Sequence, residues 1–187
     1  MNQRQSKAQP KWTDVKASFD RPALLGLIQD LYSAHKDNQT FLHARFGLGE
    51  DMLRPYKETM DRWLWPDAFS RQVPSVLKAK QAISSYKKAV GDSAGLAELM
   101  VFYCEQAAGF ASDLGYQDES YLNALVRMFE QALATANTLP TDTGDALIAR
   151  LDRVRTVGHE CAYGVGDDMD SILSKHTQRK RRQSKRR

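Results

Sequence analysis

The feature that most limits what this chain can fold into is a repeated phrase. A residue able to cap a helix comes first, then a run in which apolar side chains return every three or four positions, then a glycine or proline. That spacing lines one side of an α-helix, whereas a half-buried strand would alternate at every second residue, a pattern almost missing here. The chain is therefore expected to be all-α.

Read in order, the phrase predicts seven or eight helices. A short one spans Trp12 to about Ser18. Asp20 can accept the free amide hydrogens of the next, Pro22 suits its first turn, and Leu24, Leu25, Ile28, Leu31 and Tyr32 form its apolar stripe. A third begins at Asp37 or Asn38, carries Phe41, Leu42 and Phe46, and stops at Gly47 and Gly49. A fourth, from about Glu50, closes at Trp65-Pro66, because a proline ring pushes the residue before it out of helical geometry.

Ser75 caps a helix reaching Val90 and ended by Gly91; Asp92 caps the most apolar one, from Ser93 to about Leu114, which is the expected centre of the fold. Asp118 opens another, and Leu139-Pro140-Thr141 ends it and caps the last long helix, with Leu147, Ile148, Leu151, Val154 and Val157. Beyond Gly158, the segment GHECAYGVGDDMDSIL is expected to add only a turn of helix. Short links between such helices favour a single-domain helical bundle over residues 12–174, or a short stack of antiparallel helical hairpins. The two hairpin-sized stretches near 75–114 and 118–157 share no residue pattern, which puts the repeat architecture second.

Charge is segregated. Residues 175–187, KHTQRKRRQSKRR, hold eight Lys or Arg and no acid, and residues 1–11 add Arg4, Lys7 and Lys11. Taking these eleven from the 27 cationic residues leaves 16 against 23 acids, so the segment between is about −7. A tail of this composition cannot bury apolar surface and is expected to be disordered, with residues 1–11 as a flexible basic N-terminus. No apolar run approaches the roughly 20 residues of a membrane span, and the polar start is not that of a secretory signal peptide, so a cytoplasmic protein without a membrane span is expected. Cys104 and Cys161 then read as small packed hydrophobes rather than a disulfide.

The stretches DRPALLGLIQDLYSAHKDNQTFLHARF, KAKQAISSYKKAVGDSAGLAELMVFYCEQAAGFASDLGYQDESYLNALVRMFEQAL and GHECAYGVGDD resemble an uncharacterised family of small bacterial all-helical proteins, a domain of unknown function. The resemblance runs from about Asp20 to Asp168 and rests on caps, aromatics and glycines. It implies an all-α fold and brings no activity, cofactor or catalytic residue.

The candidate binding groups are cationic. Lys175, Arg179, Lys180, Arg181, Arg182, Lys185, Arg186 and Arg187 could each meet a phosphate and release a counterion, which suits nucleic acid, an acidic protein or another polyanion. Lys80, Lys87 and Lys88 share one side of their helix at 100° per residue and form a secondary basic face, with solvated lysines as the simpler reading.

Reactive residues do not assemble into a signature. His159, Glu160 and Cys161 are adjacent, so on a helix they point about 100° apart and cannot converge on one metal. Asp167, Asp168 and Asp170 lack the twelve-residue calcium loop with its terminal glutamate. Trp63 and Trp65 face nearly opposite ways, so one is expected in the core and the other in a cap or contact; an exposed Trp65 would anchor a partner. No metal or cofactor is expected. The leading expectation is a non-enzymatic interaction module, binding protein through its helical body and polyanions through its tail. The alternatives are an enzyme with an inter-helix groove around Tyr103, His159 or Cys161, and a structural subunit of a larger assembly.

Overall fold

The computed structural model describes residue 13, residues 19–67 and residues 71–184, with side chains through residue 177. Among these residues there are eight helices and no strand: α1 (Arg21–Ala34), α2 (Lys36–Phe46), α3 (Arg54–Leu64), α4 (Val76–Ala89), α5 (Ser93–Asp113), α6 (Glu119–Ala136), α7 (Thr141–Gly158) and α8 (Val165–Ser184). The fold is an all-α bundle. The short helix expected from Trp12 lies almost wholly outside the described residues.

The caps explain most of the boundaries. The carboxylates of Asp20, Asp92 and Asp118 each accept the amide hydrogen three residues on, at 2.9, 2.8 and 2.7 Å. Such a bond satisfies one of the donors that every helix start leaves free. Gly91 ends α4 at φ +76°, and a Cβ there would lie 2.8 Å from the Lys87 carbonyl oxygen, so the turn requires glycine.

Two of these boundaries differ clearly from the sequence reading. The fourth predicted helix starts at Arg54 rather than near Glu50, because the Asp51 carboxylate turns back onto the amides of Leu53 and Arg54, at 2.9 and 3.2 Å. Pro140, within the segment expected to cap α7, stands at its N-cap, with no side-chain cap. The end of the chain differs most. The segment after Gly158 is not a single turn but leads into a 20-residue helix, Val165–Ser184. Once Val165 and Met169 are packed and the helix is nucleated, the good helix formers that follow extend it at small cost.

The contacts divide the chain into two units, one ending at Leu42 and one beginning at His43, so the division falls within α2. In the first unit α1 buries none of its residues. Its C-terminal end is held by the start of α2: the Asn38 amide donates to the Leu31 carbonyl at 2.7 Å and the Gln39 amide to that of Tyr32 at 3.0 Å. Side chains therefore satisfy carbonyls that a helix end leaves open.

The second unit has one core. α5 lies at its centre, against α3, α4, α6 and α7, while α8 packs on α6 and α7. Small residues on several sides of α5, among them Ala97, Ala107, Ala108 and Ala111, allow neighbours to approach from different directions. Met60, Leu64, Tyr86, Leu99, Tyr103, Leu125, Phe129, Leu151 and Met169 are fully enclosed. α6 and α7 meet closely at Gly144, where a Cβ would lie 2.7 Å from the Ala136 carbonyl oxygen.

Candidate functional site

Three sets of side chains could carry function: the cationic groups, the reactive residues after α7 and the apolar stripe of α1. Of the tail cations, Lys175 is exposed on α8. Arg179, Lys180, Arg181 and Arg182 have helical backbone, with side chains outside those described, and Lys185, Arg186 and Arg187 lie outside the described residues. On α4, Lys87 and Lys88 are exposed in the last turn, where cations offset the negative end of the helix dipole, and Lys80 is half-buried. Arg45 adds a bond from its Nη1 to the Ala89 carbonyl at 3.0 Å, which satisfies an open acceptor at that same end. Lys78 stands over the Trp63 ring, 3.7 Å from its centroid.

The reactive trio diverges, each member toward its own partner. His159 lies with Nε2 3.2 Å from Asp170 Oδ2 and Nδ1 4.0 Å from Asp167 Oδ1. Glu160 accepts from the Ser112 hydroxyl at 2.5 Å, and Cys161 Sγ turns toward the Val157 and Ala108 carbonyls, at 3.7 and 3.9 Å. Burial, with Glu160 beside it, pushes the Cys161 thiol pKa up, which disfavours the nucleophilic thiolate. Cys104 is free as well, enclosed, and pushed up further by burial.

His159, Asp167 and Asp170 are the one group of three potential ligands within 4.8 Å of one another among the described residues. The two carboxylates approach different nitrogens of the ring, and Asp170 also accepts from Arg155 Nη1 at 2.8 Å. Of the two acids only Asp170 stands close to the ring, at a crossing where only glycine fits: a Cβ on Gly166 would fall within 3 Å of the His159 backbone and ring. The sequence reading treated the histidine and the acids separately and missed this pairing, for which a separation of eight and eleven residues across a turn leaves no periodic signal.

Both tryptophans are half-buried. Trp65 lies against Gly109 and meets Phe110 edge-on, with centroids 6.3 Å apart, so it packs within the aromatic group of Phe110, Tyr116 and Tyr121 rather than standing out as an anchor. Tyr121 donates its hydroxyl to the Leu64 carbonyl at 2.9 Å. Tyr103 is buried in α5 with no hydrogen-bond partner for its hydroxyl.

A charged clasp also escaped the sequence reading. Glu98 on α5 accepts from Lys57 Nζ on α3 at 2.7 Å and from Arg150 Nη1 on α7 at 2.5 Å, while Arg150 also reaches Glu105 at 2.7 and 2.8 Å. Burial raises the Glu98 pKa, but the bonds from Lys57 and Arg150 outweigh it and hold the carboxyl below its ordinary value. The partners are 41 to 52 positions apart in the chain, beyond any local pattern.

The apolar stripe of α1 is the feature that the sequence assigned to packing and the structure leaves open. Leu25 is 58% exposed, Ile28 and Leu31 49%, and Tyr32 37%.

No family model, curated protein or solved structure matches the chain. Its function must therefore be argued from these residues. No helix among the described residues is long and apolar enough to cross a membrane.

Proposed function

We propose that the chain is a non-enzymatic helical interaction module of the cytoplasm, whose body is a scaffold, whose α1 stripe binds a protein and whose basic end engages a polyanion, most simply nucleic acid. The relation to a bacterial domain of unknown function belongs to the same reading. One observation carries it: α1 displays Leu25, Ile28, Leu31 and Tyr32 and buries none of its residues. The divergence of His159, Glu160 and Cys161 supports a binding role over a catalytic one, since general acid, base and nucleophile must reach one point.

The test of the stripe is Ile28→Glu. At a binding surface the variant keeps the wild-type melting temperature within about 2 °C, because surface substitutions stay within about 0.5 kcal/mol. A cooperative loss of helix by circular dichroism would make the stripe part of a core and end the reading. The basic end is tested by removing residues 178–187, which spares the contact between His176 and Asn137 at 3.2 Å. Seven cations go, and the slope of log affinity against log salt for duplex DNA should fall by up to about six, at about 0.9 per phosphate contact. An unchanged slope would reject the role of this end.

A further inference from the structure

We propose that the polyanion met by the basic stretch is double-stranded DNA, and that the stretch lies in its major groove as a continuation of α8; the inference rests on the polyanion half of the reading above. α8 runs from Val165 to Ser184, so its backbone carries one helical register from the core into the cationic residues. Val165 and Met169 are buried, Ile172 and Leu173 pack against the core, and His176 Nδ1 lies 3.2 Å from the side-chain amide nitrogen of Asn137. The body therefore sets the register of the stretch that follows. At 100° per residue the positions of Lys175, Arg179 and Arg182 fall within about 60° of one another, while those of Lys180 and Arg181 stand about 100° and 200° from Arg179. Cationic positions thus occur around the helix rather than along one side. A helix is about 10–12 Å across and the major groove of B-form DNA is about 12 Å wide, with phosphates along both walls, so such a helix has charge to offer each wall.

What the stretch lacks selects among polyanions. Residues 171–187 contain no acid, so no charge within the stretch answers its cations. Residues 174–187 contain no apolar residue, so a helix there has no face to bury in a bilayer or in the groove of an acidic protein. They contain no Phe, Tyr or Trp on which the bases of a single strand would stack. Duplex RNA has a major groove too deep and narrow for side chains to read, which leaves B-form DNA. Like charges three and four positions apart, as at Lys175, Arg179 and Arg182, oppose the helix in the free protein. Phosphates remove that repulsion, so binding and helix formation reinforce each other.

The experiment uses the full chain and three fluorescein-labelled nucleic acids of one sequence: duplex DNA, duplex RNA and single-stranded DNA. Fluorescence anisotropy should show duplex DNA binding at least tenfold more tightly than either of the others. Gln178→Pro keeps every charge but interrupts the helix ahead of Arg179, and should weaken duplex DNA binding at least tenfold. Where that variant fails to fold, Gln178→Gly with Gln183→Gly, which lowers helix propensity alone, should weaken it at least threefold. Wild-type affinity in these variants, with the salt slope still lost on removing residues 178–187, would leave a polycation acting by charge alone: the helix would be overturned and the polyanion reading spared. A salt slope unchanged by the truncation would remove both. Equal affinity for the three nucleic acids, or binding to phosphatidylglycerol vesicles without binding to duplex DNA, would overturn the choice of DNA.

Discussion

Gly109, near the C-terminal end of α5, offers a substitution whose sign should depend on one neighbour. A Cβ at this position would lie 2.6 Å from Trp65 Cζ3 and 3.1 Å from Cη2. Ordinary contact begins near 3.4 Å, so the indole must retreat by 0.8 Å, and Phe110 stands behind it with ring centroids 6.3 Å apart. Overpacking of this kind costs about 1–3 kcal/mol, while replacing a helical glycine with alanine returns about 1 kcal/mol of backbone entropy. Gly109→Ala should therefore destabilise the wild type by about 1 kcal/mol. In a Trp65→Ala background the obstacle is gone and the same change should stabilise by up to about 1 kcal/mol. The coupling of about 2 kcal/mol is measured by urea unfolding of the four proteins in a double-mutant cycle, with constant slope as the check on two-state behaviour. Gly109→Ala stabilising both backgrounds would show that the ring yields freely. Destabilisation of both would place the obstacle elsewhere, and either result refutes the argument.

The clasp of Lys57, Glu98, Arg150 and Glu105 makes two further predictions. Arg150→Met should cost about 2 kcal/mol by thermal or urea unfolding, between the values for exposed and buried ion pairs, since its side chain is 24% exposed and two acids lose their partner. Because the folded Glu98 carboxyl is held below its ordinary value, its contribution is present above the unfolded value and is lost as pH falls through the folded one. Glu98→Gln should accordingly flatten the loss of stability below about pH 4.3; an unchanged acid limb would remove Glu98 from the account. The two thiols, pushed up by burial, should react slowly with an aromatic disulfide reagent at pH 7: Cys161 more slowly than free cysteine, and Cys104 only as the protein unfolds. A rapid Cys161 would revive the enzymatic reading.

Much of this fold was legible locally because a cap needs only a neighbour. Asp20, Ser75, Asp92 and Asp118 each bind an amide three residues away, and each opens the helix that their types and positions indicate. The apolar stripe of α5 likewise marked it as the centre, since a helix that is oily on several sides has to be surrounded. Reading failed where distance in the chain was large. The fourth helix was expected from about Glu50, although the Asp51 carboxylate holds the amides of Leu53 and Arg54 in the turn before it; the length of α8 was missed because Val165 and Met169 gain their burial from packing against other helices.

By itself, then, the order of residues decided that this chain is helical, where most of its helices begin and which helix is enclosed, because capping and helical periodicity act over three to eight positions. Only the tertiary structure decided that α1 buries none of its residues, that Glu98 is shared by Lys57 and Arg150, and that His159 lies between two aspartates. A stripe has the same sequence whether it is covered or bare. What separates the two is the presence of a facing surface, and for the clasp and the α5 core that surface is supplied by residues tens of positions away.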